Sequence, residues 1–152
     1  MVAVMALLIA ALLLSGRWRE ALAIGFTVAA ASAVCTVLKL LIARPRPFNG
    51  IVDTGLDSFP SGHTTTAAAL TFAIALAFPH LWTWLLAGVW VPAMAVSRTY
   101  LLVHWSTDVL ATALLGVSVA LVVATAGTAL LRPTSRNPDL QLTPSRTAIA
   151  RF

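Results

Sequence analysis

The chain has 152 residues, of which 59% are hydrophobic and 10% are charged, and its formal net charge is +5. This length suits one domain, and a soluble fold of this composition would have to hide too much apolar surface. The basic residues do not cluster among aromatic side chains, so the charge does not indicate nucleic-acid binding. The composition is typical of an all-α bundle of membrane-spanning helices, because lipid solvates apolar side chains and a helix satisfies its own backbone.

Five apolar runs are predicted to form the helices of a transmembrane domain that covers residues 1–131. The first, at 2–14, is as short as the apolar part of a signal peptide, but no basic residue precedes it, and we interpret it as a short span. The other runs lie at 21–43, 61–78, 81–96 and 104–131. The polar segment 132–152 follows as a tail that is expected to be flexible.

The basic residues outside the helices predict the orientation of the bundle. Five spans place Arg17, Arg19 and the four arginines of the tail on one face, which is expected to be cytoplasmic by the positive-inside rule. The loops after the second and fourth helices then lie on the outer face. The sequence therefore predicts a protein of a bacterial inner membrane with an outward-facing site and a cytoplasmic tail.

Six ionisable side chains belong to segments that reach the same, outer end of the predicted bundle. Charged groups at membrane depth are costly unless they pair or line a polar cavity, so their convergence predicts a site for an anion. These residues are Lys39, Arg46, His63, Arg98, His104 and Asp108.

Local spacing suggests which residues of such a site bind phosphate and which take part in the reaction. The segment 60–63, with the sequence PSGH, opens a helix, so free N–H groups and the positive end of the helix dipole are available to a phosphate. Gly62 allows a ligand to approach the backbone closely. His104 and Asp108 are four residues apart on the predicted fifth helix, so the carboxylate is expected to accept from one imidazole nitrogen and leave the other free to attack.

The remaining polar residues match the needs of phosphoryl transfer. Lys39, Arg46 and Arg98 supply three cations for the oxygens of a phosphoryl group. His63 is placed to donate a proton to the departing alkoxide and then to activate water. Two histidines with few acids nearby are a poor set of ligands for a metal ion, so no metal site is expected.

Each of these residues also has a purely structural explanation. Lys39 alone would be expected to extend to the membrane interface. Asp108 could form a structural pair with Arg98 or with His104 inside the bundle. Arg44 is assigned no role in the chemistry.

Three motifs resemble the signature of the type 2 phosphatidic acid phosphatase superfamily, also called the lipid phosphate phosphatases. The motif K-x6-R-P lies at 39–47, P-S-G-H at 60–63, and S-R-x5-H-x3-D at 97–108. All signature positions match, and the motifs follow the order of the family. Many bacterial members have six spans, whereas five are predicted here.

The resemblance implies a role for each matched residue. His104 matches the nucleophile, Asp108 the residue that orients it, and His63 the acid. The phosphate-binding positions are matched by Lys39, Arg46, Ser61, Gly62 and Arg98. Family members act at the membrane without a metal or another cofactor, on phosphatidate, phosphatidylglycerophosphate, polyprenyl diphosphates and related lipids.

The sequence therefore predicts a membrane enzyme that removes phosphate from a lipid through a phosphohistidine. A lipid phosphate and membrane lipids are the expected partners, nucleic acid is not, and a homo-oligomer is left open. The alternative is a non-catalytic protein that binds or transports anionic lipids. A vanadate-dependent haloperoxidase has the same kind of anion site, but those enzymes are soluble and this composition is not.

Overall fold

The structure of the protein, a computed structural model, describes residues 2–47 and 57–130. Within them the chain forms five helices and no strand: α1 (Val2–Leu14), α2 (Trp18–Ile42), α3 (Gly62–Ala77), α4 (Leu81–Tyr100) and α5 (Ser106–Leu130). The predicted all-α bundle is confirmed. The predicted tail at 132–152 and the middle of the loop, at 48–56, lie outside the described residues.

The junction between α4 and α5 differs from the prediction. The fourth helix was expected to end at residue 96, but it continues through Tyr100 because no Gly or Pro occurs at positions 97–100. In this last turn the Thr99 hydroxyl donates to the Ala95 carbonyl at 2.7 Å. A turn follows, in which Leu102 has a positive φ of 53°. The fifth helix begins at Ser106, so His104 belongs to this turn and not to a helix.

Helix α3 is the centre of the bundle, where it contacts α2, α4 and α5. Its buried face consists mainly of alanine and threonine, and these small side chains let neighbouring backbones approach closely. The closest approach is to Gly116 of α5, where a methyl group would lie 2.5 Å from the Thr65 carbonyl oxygen and 2.8 Å from the Ala68 Cβ atom. Only glycine fits at this crossing.

Large apolar side chains cover the outside of the bundle, for example Leu40 of α2 (80% exposed), Trp82 of α4 (78%) and Leu114 of α5 (69%). Such a surface is unfavourable in water and suits contact with lipid. Two helices, Trp18–Ile42 and the segment Ser106–Ala129, are long and apolar enough to cross a membrane by length and composition alone. Helices α1 and α3 are apolar but shorter.

The connections between helices bring four helix ends together. The C-terminal ends of α2 and α4 meet the N-terminal ends of α3 and α5, as hydrogen bonds from Lys39 to Asp57 and from Ser61 to Thr112 show. The candidate site residues all lie at this end of the bundle, which we call the site end.

Candidate active site

The end of α2 and the segment after it form one side of the site. Lys39 lies in the last turn of α2, and its Nζ donates to the Asp57 carbonyl at 3.3 Å. Ala43 ends the helix in the left-handed conformation, with φ of 44°. The Ser58 amide then donates to the Arg44 carbonyl at 2.7 Å, so the segments before and after residues 48–56 are held side by side.

The N-terminus of α3 forms the second side. Ser61 occupies the N-cap position without a side-chain capping bond and is fully buried. Its hydroxyl lies 3.1 Å from the Thr64 hydroxyl, and its amide donates to Thr112 Oγ1 of α5 at 3.3 Å. Ser61 therefore ties α3 to α5 at the site end. Beside it, a methyl group on Gly62 would meet nothing nearer than Cys35 Sγ, at 4.0 Å. Phosphate binding by these two residues stays a prediction.

The His104 imidazole is held from one side. The residue is only 6% exposed, and its Nδ1 forms a hydrogen bond with the backbone carbonyl of Ser58. A carbonyl can only accept, so Nδ1 is the protonated nitrogen of the neutral ring and Nε2 carries the lone pair. The arrangement provides a neutral imidazole with one nitrogen fixed and the other free to act as a nucleophile.

Burial favours the neutral form of this ring. It lowers the pKa of His104 from 6.5 to about 4, and the nearby charges of Arg46 and Lys39 act in the same direction. The hydrogen bond to Ser58 and the charge of Asp108 oppose the shift without cancelling it. His104 is therefore unprotonated at neutral pH, which is the state that a nucleophile requires.

Asp108 does not make the hydrogen bond that the sequence predicts. Its fully buried carboxylate accepts from Arg44 Nη1 and, at 3.1 Å, from the Trp105 amide, whereas the His104 Nδ1 bonds to Ser58. The expected pairing assumed that His104 and Asp108 share a helical face, but α5 begins only after His104. The structural alternative of a pair with Arg98 also differs from the structure, since the ion pair of Asp108 is with Arg44.

Arg44 is the residue that sequence reasoning missed. Besides Asp108, its Nη1 donates to Thr107 Oγ1 at 3.0 Å, and its guanidinium lies 5.7 Å from the centre of the Trp105 ring. The sequence contained one signal for it, namely an arginine two positions before Arg46 in the same proline-rich turn. Only Arg46 belongs to the motif, and so Arg44 was set aside.

The other two arginines of the motifs reach the same end. Arg46 donates from Nη1 to the backbone carbonyl of Val103, next to His104. Arg98 lies in the last turn of α4, and its Nε is buried without a hydrogen-bond partner among the described residues. The Ser58 hydroxyl oxygen is buried in the same way. Buried polar groups of this kind are costly unless a ligand or water bonds to them.

The two histidines of the motifs line different cavities. His104 lines a cavity of about 490 Å³ together with Tyr100 and Trp105, among others. His63 is exposed and lines a second cavity of about 320 Å³ together with Lys39 and Gly62. The structure thus brings His104 close to Arg46 and Asp108, and it does not place His63 in the cavity that His104 lines. Among the described residues, no group of three His, Cys, Asp or Glu side chains could hold a metal ion.

Comparison with known proteins shows the family of the chain. The model of the PAP2 superfamily matches residues 20–132. A decaprenylphosphoryl-5-phosphoribose phosphatase of Mycobacterium tuberculosis is 37% identical over 79% of this chain and 68% of its own length. An undecaprenyl-diphosphatase of Sulfolobus acidocaldarius is 34% identical over 70% of this chain and 55% of its own length.

A third relative, phosphatidylglycerophosphatase B of Bacillus subtilis, is 40% identical over 49% of this chain and 41% of its own length. No solved structure matches the chain significantly. The family model covers well over half of the chain, and the mycobacterial relative is matched over two thirds of its length. On this evidence the protein belongs to the PAP2 superfamily and is a phosphatase of that family.

Proposed function

We propose that the protein hydrolyses a phosphomonoester or a diphosphate of a lipid through a phosphohistidine intermediate on His104. The observation that carries this proposal is the buried imidazole whose Nδ1 is held by the Ser58 carbonyl, so that Nε2 is left as the nucleophile. The names of the relatives, which are phosphatases of phosphorylated lipids, support the choice of substrate class.

In the first step, His104 Nε2 attacks phosphorus, the new N–P bond forms, and the bond from phosphorus to the lipid oxygen breaks. The electron pair of that bond leaves with the lipid oxygen, which takes a proton from His63 if it is an alkoxide. The imidazole gains positive charge as it attacks, and its Nδ1 hydrogen bond to the Ser58 carbonyl stabilises that charge. In the second step, His63 takes a proton from a water molecule, whose oxygen attacks phosphorus. The N–P bond breaks, its electron pair returns to His104 Nε2, and inorganic phosphate leaves.

The cations of the motifs stabilise the phosphoryl oxygens during both steps. We assign this role to Lys39, Arg46 and Arg98, as the matched motifs imply. The Nε of Arg98 supports the assignment, because it is buried, has no hydrogen-bond partner in the part of the chain that the structure describes, and would be satisfied by a phosphate oxygen. Ser61 and Gly62, at the N-terminus of α3, complete the phosphate site.

Lys39 acts on residues of both cavities. It lines the cavity of His63, and its charge also acts on His104. In this proposal the phosphate binds beside Lys39, between the proposed acid and the proposed nucleophile. Asp108 keeps its predicted importance in this scheme, although it acts through Arg44 and Trp105 and not by direct contact with His104.

The lipid part of the substrate is proposed to be a polyprenyl chain. The cavity beside His104 shares Val96, Thr99 and Ser106 with an apolar groove that continues between α4 and α5 toward Pro92 and Ala113. A long hydrocarbon chain would fit such a groove while its phosphate reaches His104. Two relatives are named for decaprenyl and undecaprenyl lipids, which supports this choice over phosphatidate or phosphatidylglycerophosphate.

The test is phosphate release by the purified protein from a panel of lipid phosphates, with His104→Ala as the control. The panel contains a polyprenyl monophosphate sugar, a polyprenyl diphosphate, phosphatidate and phosphatidylglycerophosphate. Assays contain EDTA, because the scheme requires no metal. We expect fastest release from a polyprenyl substrate and almost none from the variant. No phosphate release by either protein would favour the non-catalytic lipid-binding alternative, and equal release by both would contradict the role of His104.

The proposed location is a bacterial inner membrane, with the site end on the outer face and the tail at 132–152 in the cytoplasm. The arginine distribution of the sequence supports this orientation. Labelling of an introduced cysteine in the tail by a membrane-impermeant maleimide tests it, on a Cys35→Ala background, since Cys35 is the sole cysteine. Labelling in intact cells would contradict the proposed orientation, and labelling only after lysis would support it.

A further inference from the structure

The His104 imidazole is part of a closed ring of contacts. Starting at the imidazole, His104 Nδ1 bonds to the Ser58 carbonyl, and the Ser58 amide donates to the Arg44 carbonyl at 2.7 Å. The Arg44 side chain pairs with Asp108, and the Asp108 carboxylate accepts from the Trp105 amide at 3.1 Å. Trp105 follows His104 in the chain, so the ring closes. Arg44 takes part twice, once through its backbone and once through its side chain.

Further contacts join the segment after α2 to the chain next to His104. The Trp105 indole Nε1 donates to the Pro45 carbonyl at 3.1 Å, and the Arg44 guanidinium also donates to Thr107 Oγ1 at 3.0 Å. The chain next to His104 is thus fastened to the segment after α2 at Trp105 and at Thr107. This matters because His104 precedes α5 and is not held by helical hydrogen bonds.

The Arg44 side chain is also the charge partner of a buried carboxylate. Asp108 is 0% exposed, whereas 40% of the Arg44 side chain is exposed. Removing the guanidinium would leave Asp108 buried with the Trp105 amide as the one remaining donor to its carboxylate among residues 2–47 and 57–130. An unpaired buried charge is strongly unfavourable, so the turn would be expected to rearrange and carry His104 with it.

We propose that Arg44 is a positioning residue, which holds the α4–α5 turn so that His104 Nε2 is aligned for attack on phosphorus. The inference rests on the proposed function of His104 and adds to it a residue outside the three motifs. Arg44 lines neither the cavity of His104 nor that of His63, and its guanidinium is directed at Asp108 and Thr107. Its loss should therefore reduce the rate of the chemical step and leave substrate binding largely unchanged.

The experiment compares Arg44→Met with Arg17→Met in the full-length protein, using the lipid phosphate that the unchanged protein hydrolyses best. Arg17 is a matched control, since it forms an ion pair with Glu20 at the opposite end of α2. We expect Arg44→Met to lower kcat on the order of 10- to 100-fold, because small misplacements of reacting groups have effects of this size. KM should change by less than about two-fold, and Arg17→Met should match the unchanged protein in both constants.

A second variant keeps the test decisive if Arg44→Met does not fold. Arg44→Met combined with Asp108→Asn removes both charges and leaves no unpaired one, so the double variant should fold and show the same loss of kcat. Unchanged kcat in either folded variant, or a raised KM with unchanged kcat, would overturn the positioning role. Failure of the proposed function gives a different result, in which the unchanged protein shows no turnover that depends on His104.

Discussion

His104 donates its Nδ1 proton to the backbone carbonyl of Ser58, on the segment that leads into α3. The proposed nucleophile and the segment before α3 are thereby linked directly, although 46 positions separate the two residues in the sequence. A carbonyl acceptor fixes the tautomer without adding a titratable group. The pKa of His104 is lowered mainly by its burial, which outweighs the opposing effect of the Ser58 hydrogen bond, and the charge of Arg46 lowers it further.

This arrangement predicts the acid limb of the pH profile. His104 must be neutral to attack, and its pKa is lowered to about 4, so kcat/KM should fall only as the pH drops through about 4. The measurement is kcat/KM from about pH 3 to pH 8, with activity at pH 7 re-measured after each acid exposure to exclude denaturation. An acid limb centred near 6.5, the ordinary value for histidine, would contradict the buried neutral imidazole.

The crossing of α3 and α5 predicts a specific stability difference between two glycines. Gly116→Ala would place a methyl group 2.5 Å from the Thr65 carbonyl oxygen, which should cost about 1–3 kcal/mol of stability. Gly127→Ala on the same helix is the matched control, because nothing lies within 4 Å of its methyl position. Thermal unfolding in the same detergent should show a lower Tm for the first variant only. Equal Tm values would indicate that the helices cross farther apart.

The proposed role of His63 as the general acid predicts a dependence on the leaving group. A general acid matters most for a poor leaving group, so His63→Gln should slow hydrolysis of an alkyl lipid phosphate on the order of 100-fold or more. The same variant should lose much less activity toward p-nitrophenyl phosphate, whose leaving group needs no proton. His80→Gln is the control, since His80 lies at the far end of α3 from the site. Equal losses on both substrates would assign His63 to phosphate binding.

The helix boundaries show which structural features the sequence reveals. The ends of α1 and α3 were predicted closely because Ser15-Gly16 and Pro79 interrupt the apolar runs there. The end of α4 lacks such residues, and the helix stops only where the chain must turn to place His104 against Ser58. That requirement comes from tertiary contacts, which the local sequence does not encode.

The candidate site also combines features that the local sequence shows with features that only tertiary contacts create. Motif residues with charged or titratable side chains could be identified individually, since their chemistry is visible in the sequence. The acceptor for His104 is a backbone carbonyl, which has no side-chain signature, so Asp108 was expected in its place. Arg44 was overlooked because its importance depends on a partner 64 positions away, which only the fold brings within reach.

The central claim is that phosphate is transferred to His104, and a quench experiment tests it most directly. The purified protein is mixed with a lipid phosphate that carries ³²P in the transferred group, stopped within one turnover in alkaline detergent, and digested for peptide mapping. We predict a base-stable, acid-labile label on the peptide that contains His104, and no label in His104→Ala. A label on another residue, or full turnover by His104→Ala, would contradict the account.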